Sequence, residues 1–127
     1  MTKLYLRIGI VCFLLVFPLV FAYSENATGL PEKPVNLSVT DPSSANNSFT
    51  LSWDPVPGAK GYYIYQIPQG RTLGWHKWLS TTPDPIVTPS AEVRRVTLNT
   101  NYSYRVTAYN DNGEGLPSDT IDVNLKR

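Results

Sequence analysis

Cysteine is almost missing from this chain of 127 residues, and the one present, Cys12, lies in an apolar stretch near the start. The rest must fold without a disulfide and take its stability from packing. Histidine is equally scarce, with His76 alone. A hydrolytic triad or a zinc site would therefore need partners from another chain, and His76 reads as a strand residue among aromatics. No excess of one charge exists either, with 11 basic against 10 acidic side chains. That balance offers no basic stripe for nucleic acid and no acidic block for cations or mineral. Apolar runs are confined to Ile8–Ala22, which is shorter than the ~18 residues of a span and carries Pro18. No stable membrane anchor is expected. An apolar stripe of helical period is absent as well.

The first residues are those of a leader. Lys3 and Arg7 precede the apolar run, and Val20-Phe21-Ala22 closes it with residues a signal peptidase accepts. Residues 1–22 are read as a signal peptide cleaved after Ala22, with Ser24 as the next candidate. Its removal leaves nine basic and ten acidic side chains and takes Cys12 away. Residues 23–30 read as a flexible N-terminal segment, polar through Pro34, and 31–127 as one domain. Four N-glycosylation sequons begin at Asn26, Asn36, Asn46 and Asn101, in keeping with a secreted, extracellular glycoprotein. The polar end at Asn124-Leu-Lys-Arg127 carries no retention or lipid-anchor signal.

From Val35 onward, short alternating runs are separated by Pro, Gly, Asn and Asp clusters about every ten residues, the pattern of an all-β sandwich. Seven strands are expected: Val35–Thr40, Ser48–Trp53, Gly61–Ile67, Gly74–Leu79, Val93–Leu98, Tyr102–Tyr109 and Thr120–Leu125. Alternation puts Val35, Leu37 and Val39 on one face of the first. It sends Phe49, Leu51 and Trp53 inward on the second. Tyr62 and Ile64 follow on the third, and Tyr102, Tyr104, Val106 and Ala108 on the sixth. Trp53 is large enough to bury about 200 Å² between two sheets.

Several of these segments resemble the fibronectin type III domain. Pro34-Val-Asn-Leu-Ser-Val39 is similar to its opening strand, Leu51-Ser-Trp53 carries its second-strand tryptophan, and Gly61-Tyr-Tyr-Ile64 is similar to its third-strand start. Val96-Thr-Leu-Asn-Thr-Asn-Tyr102 resembles the family's Leu-x-Pro-x-Thr-x-Tyr run, with Val96 for Leu and Leu98 for Pro. Tyr104–Asn110 and Gly113–Ser118 complete the likeness, which spans Pro31 to about Lys126. It implies an Ig-like sandwich of seven antiparallel strands in two sheets, with the third, fourth, sixth and seventh in one sheet. Tyr102 would then form a tyrosine corner, its hydroxyl bonded to backbone in the preceding turn. The loop Asn110–Gly115 lies where some members carry an Arg-Gly-Asp tripeptide, and that tripeptide is absent here.

No catalytic or metal-binding group stands out. Asp111 and Glu114 share a loop, but calcium wants six or more oxygens, and Gly113-Glu-Gly115 reads as a turn. The candidate for function is a face. Tyr63, Tyr65, Arg105 and Tyr109 point outward and would share one surface with Trp75 or Trp78. These are residue types enriched at binding hot spots. Aromatics also cover sheet faces without binding anything, and four or more contiguous rings would separate the two readings. The sequence thus describes a secreted, non-catalytic protein without cofactor or nucleic-acid ligand, working through contacts with an extracellular protein. The resemblance favours an extracellular-matrix component, including the organic matrix of mineralised tissue such as shell. The alternative is a soluble secreted ligand-binding or host-interaction protein.

Overall fold

The computed structural model describes residues 29–127. The leader, Cys12 and the Asn26 sequon lie outside the described residues. Among the described residues every regular element is a strand: β1 (Ser38–Ser43), β2 (Ser48–Ser52), β3 (Gly61–Pro68), β4 (His76–Lys77), β5 (Thr81–Thr82), β6 (Ser90–Val93), β7 (Tyr102–Asn110), β8 (Gly113–Glu114) and β9 (Ile121–Val123). One sheet runs β1-β2-β6-β5; the other runs β4-β3-β7-β8, with β9 also paired to β7, and all pairings are antiparallel. The expected third, fourth, sixth and seventh strands thus share one sheet.

The expected seventh strand is present as β9, and a further short strand, β8, forms at Gly113–Glu114, where a turn was expected. β8 pairs with one end of β7 and β9 with the other, around Leu116 and Pro117, and proline cannot donate to the ladder. Ser118 repairs the gap: its N–H donates to the Val106 carbonyl at 2.8 Å, and its Oγ accepts from the Val106 N–H at 2.9 Å. The strand expected over Val93–Leu98 lies earlier instead, at Ser90–Val93, and does not continue beyond Val93, where Arg95 and then Asn99 turn into the left-handed region, at φ 58° and 55°. Val96 is still buried and Leu98 packs on the core.

The core fills the space between the sheets with Phe49, Leu51, Trp53, Tyr62, Ile64, Ala91, Val93, Tyr104, Val106 and Ala108. Two ring pairs meet edge to face, Phe49–Tyr104 and Trp53–Tyr62, both with centroids 5.1 Å apart. The buried hydroxyls are satisfied: Tyr62 Oη accepts from the Val56 N–H at 3.0 Å, and Tyr104 Oη from Gln66 Nε2 at 2.6 Å. Tyr102 departs from its expected role. Its ring packs on the core, but it is only half-buried, and among the described residues its hydroxyl makes no hydrogen bond. Val35 is exposed rather than inward, its place taken by the buried Pro34.

The lead-in is shorter than its composition suggests. The Gly29 carbonyl accepts from Asn110 Nδ2 at 2.8 Å and Asn112 Nδ2 at 3.0 Å, and Pro31 and Pro34 are buried. Residues 29–34 therefore lie fixed along the β7–β8 hairpin.

Candidate functional site

The site is assembled by register. Tyr65 of β3 stands opposite Lys77 of β4 on one side and Arg105 of β7 on the other. The neighbouring row sets Gln66 between His76 and Tyr104. Side chains alternate along each strand and stay on one face across a row. On all three strands, even-numbered residues thus face the other sheet and odd-numbered ones face away. The two tryptophans flanking β4 part company accordingly. Trp75 joins the outer face, whereas Trp78 turns inward, packs on the core and donates its Nε1–H to the Arg94 carbonyl at 3.2 Å. Trp78 is not part of the face, which corrects its candidacy.

Four rings and two cations occupy that face. Tyr63 and Tyr109 stack at 4.6 Å with 18° between their planes. Tyr109 can lie there because Gly61 has no side chain: a Cβ on it would sit 2.6 Å from Tyr109 Cζ and 2.7 Å from Cε1. Lys77 Nζ caps the pair, 3.3 Å from the Tyr63 ring centroid. The Arg105 guanidinium carbon lies 4.3 Å from the Trp75 centroid and 5.8 Å from that of Tyr65. Both are cation–π contacts, worth about 0.5–1 kcal/mol each at exposed sites.

Glu114 closes the far side. Its Oε1 accepts from Tyr65 Oη at 2.5 Å and from Thr107 Oγ1 at 2.6 Å. Partial burial, with this bond to a carboxylate, pushes the Tyr65 hydroxyl up to about 12. Tyr65 thus stays a donor at neutral pH. The result is a broad, ring-rich surface with fixed cations, able to bind by stacking, apolar contact and charge-assisted hydrogen bonds. The enclosed cleft beside Trp78, Pro85 and Ile86 holds about 80 Å³, below the ~300 Å³ of a small-molecule site, and the hollows of that size, about 330 and 290 Å³ around Leu79, Ser80 and Arg95, lie open to solvent. Among the described residues, no three His, Cys, Asp or Glu side chains are grouped to hold a metal.

A model of the fibronectin type III domain matches residues 32–124. The chain belongs to the fibronectin type III domain family. Rat myosin-binding protein H is 28% identical over 94 residues, which cover 70% of this chain but 18% of that protein. Among solved structures, the FN1–FN3 domains of chicken CNTN1 superpose with a TM-score of 0.66 at 21% identity, over 76% of this chain and 32% of that one. A structure described as a myokine gives a TM-score of 0.57 at 26% identity, over 76% of this chain and 99% of that one. The chain thus spans less than a fifth of the length of that rat protein.

On this fibronectin type III frame, outward alternation brings Tyr63, Tyr65, Arg105 and Tyr109 together and adds Trp75. Lys77, Thr107, Glu114 and Gly61 were missed. Their membership depends on which residues lie across the strands, and no single run encodes that. Asp111 and Glu114 do not form a pair: Asp111 takes Lys60 Nζ at 2.6 Å, while Glu114 belongs to the face. The described sequon residues Asn36, Asn46 and Asn101 are all exposed. Asn36 Nδ2 donates to Asp54 Oδ2 at 2.7 Å, and Asn101 Oδ1 accepts from Asn124 Nδ2.

Proposed function

We propose that the protein is a secreted, glycosylated, non-catalytic fibronectin type III protein of extracellular matrix, which works by holding another protein on the outer face of β4, β3 and β7. The observation that carries the binding role is the cluster of Tyr63, Tyr65, Trp75 and Tyr109 interleaved with Lys77 and Arg105. Plain cover of a sheet does not require two such groups side by side, the Tyr63–Tyr109 stack under Lys77 and the Tyr65 and Trp75 rings about Arg105. Secretion is supported by the leader composition and by the exposed sequon residues. The organic matrix of mineralised tissue, such as shell, is one setting for such a protein. Its near-neutral charge favours a scaffold role there over crystal binding through carboxylates.

The rat relative's name ties that protein to myosin. With 18% of its length shared, its partner is not carried over to this chain. One observation favours a second reading, a soluble secreted binding protein: the structure described as a myokine is a chain of this domain's size, covered to 99%.

Fractionation of the source material tests the proposal. Retention with insoluble matrix, a mass loss on N-glycosidase treatment, and loss of retention when Tyr63, Tyr65 and Tyr109 are all replaced by Ser are expected. Recovery only in soluble fluid would favour the second reading. Retention unchanged in the triple variant would leave the face without a role.

A further inference from the structure

The outer face holds two cations that lack anions. Among the described residues only two ion pairs form, Lys33–Asp119 and Lys60–Asp111, and neither involves this face. Its carboxylates are already engaged by neutral donors, Glu114 by Tyr65 and Thr107, and Asp122, opposite Ser103, by Ser103 and Gln69. Lys77 and Arg105 are therefore bound to rings but to no carboxylate. Arg105 Nε is moreover shielded from solvent and has no hydrogen-bond partner. Trp53 Nε1 in the core is in the same state, so this atom does not by itself point to a ligand; what sets Arg105 apart is that its guanidinium lies over the Trp75 ring and near that of Tyr65. An arginine held in this way has lost much of its side-chain entropy beforehand and presents a rigid fork suited to carboxylate.

We infer that this face takes an acidic protein segment, with carboxylates pairing to Arg105 and Lys77 and intervening side chains lying on the rings between them. The inference rests on the protein-binding reading above and adds the partner's charge. Register places the two cations on either side of Tyr65, on strands that flank β3, so their backbones are about 10 Å apart. A segment crossing the three strands meets cation, ring and cation in turn. Beyond β4, a shallow hollow lined by His76, Lys77, Trp78, Leu79, Ser80 and Arg95 extends the basic side and leaves Leu79 77% exposed. Separation of the cations by apolar rings suits a peptide with mixed side chains better than a sulfated glycan, which needs cations in an uninterrupted row.

The test measures binding of the full chain to three probes: a fluorescent peptide alternating Glu and Tyr, the same peptide with Gln for Glu, and a heparin oligosaccharide. The Glu-Tyr peptide is expected to bind, with weakening of about tenfold or more in Lys77→Gln/Arg105→Gln and at raised salt. Arg105→Lys keeps the charge but loses the planar fork, and should fall between. Unchanged thermal midpoints show that each variant is folded, and Lys77→Gln alone, at an exposed position, provides a second measurement. Equal binding of the Gln peptide, insensitive to the charge variants yet lost on replacing Tyr63, Tyr65 and Tyr109, overturns the acidic partner and leaves the protein-binding face standing. Failure of both peptides overturns the inference outright. Tighter binding of heparin with the same dependence on Lys77 and Arg105 assigns the face to a glycan and overturns it too.

Discussion

The two faces of β3 and β7 draw on the same residue types for different ends. On the inner face Tyr62 and Tyr104 meet Trp53 and Phe49 edge to face, and both hydroxyls are tied to protein groups. On the outer face Tyr63 and Tyr109 stack nearly parallel, open on one side, with a lysine on top. Enclosure explains the difference. Rings surrounded on all sides interlock at steep angles, while rings on an open sheet lie flat over one another and over whatever leaves room, here Gly61. Aromatic content alone therefore does not say which face serves folding. Burial does: Trp53, Tyr62 and Tyr104 are enclosed between the sheets, whereas unpartnered donors occur on both faces, Trp53 Nε1 on the inner and Arg105 Nε on the outer.

The inner face should be the one whose damage unfolds the protein. Trp53→Ala removes a 5% exposed ring from between the sheets and is expected to cost about 3–5 kcal/mol. A thermal or urea midpoint matching wild type would refute this division of labour. Next comes Tyr104→Phe, which keeps the packing but strips Gln66 Nε2 of its buried acceptor, for a loss of about 1–3 kcal/mol. A neutral result would mean that Gln66 Nε2 finds another acceptor, since its Oε1 already lies 3.2 Å from His76 Nε2.

Alkali separates the faces by titration. Burial pushes the Tyr104 hydroxyl up to about 12, against the opposing pull of the Gln66 hydrogen bond, and Tyr65 is raised to about 12 as well. Between pH 10 and 12 the folded chain keeps two protons that the unfolded chain has shed. Stability is thus whole below pH 10 and falls as pH rises towards 12. Midpoints measured across this window should drop in wild type, and drop less steeply in Tyr65→Phe. An identical slope in that variant would show that the outer hydroxyl titrates like a free tyrosine. Gly61→Ala is a gentler probe. The new Cβ displaces the Tyr109 ring, the flexible end of a side chain, so about 1 kcal/mol is expected, together with loss of the Tyr63–Tyr109 stack. Near-ultraviolet circular dichroism would register that loss, and an unchanged spectrum would argue that the stack is not maintained in solution.

How much of this was legible varies with the kind of signal. Strong alternation in β3 and β7 was enough to assign Tyr62, Ile64, Tyr104 and Val106 to the core and Tyr63, Tyr65, Arg105 and Tyr109 to the face. Trp53 was equally plain. The fourth strand was not, because only His76 and Lys77 pair, and alternation within Gly74–Leu79 could not choose between Trp75 and Trp78 without the register to β3. Arg95 gave no warning of its left-handed backbone, since the residues that usually mark such a turn are Gly and Asn. Lys77 and Glu114 reach the site only across strands, through pairings that no local pattern records.

Tyr102 stands at the border of the comparison and gives the smallest expected effect. It is inward by alternation and packs on the core, yet it lies at the end of β7, half-buried, with no hydrogen bond from its hydroxyl among the described residues. The family's run before this strand has a proline where this chain has Leu98, and Asn99 beyond it adopts φ 55°. The Asn99 N–H donates to the Leu125 carbonyl at 2.7 Å, which ties that turn to the C-terminal strand region instead of to the tyrosine. Tyr102→Phe should therefore shift stability by no more than about 0.5 kcal/mol, whereas Tyr102→Ala, which removes the ring, should cost measurably more. If the phenylalanine variant instead lost about 1 kcal/mol or more, the hydroxyl would be bonded in solution, and Tyr102 would rejoin Tyr62 and Tyr104 as a ring whose polar end serves the fold.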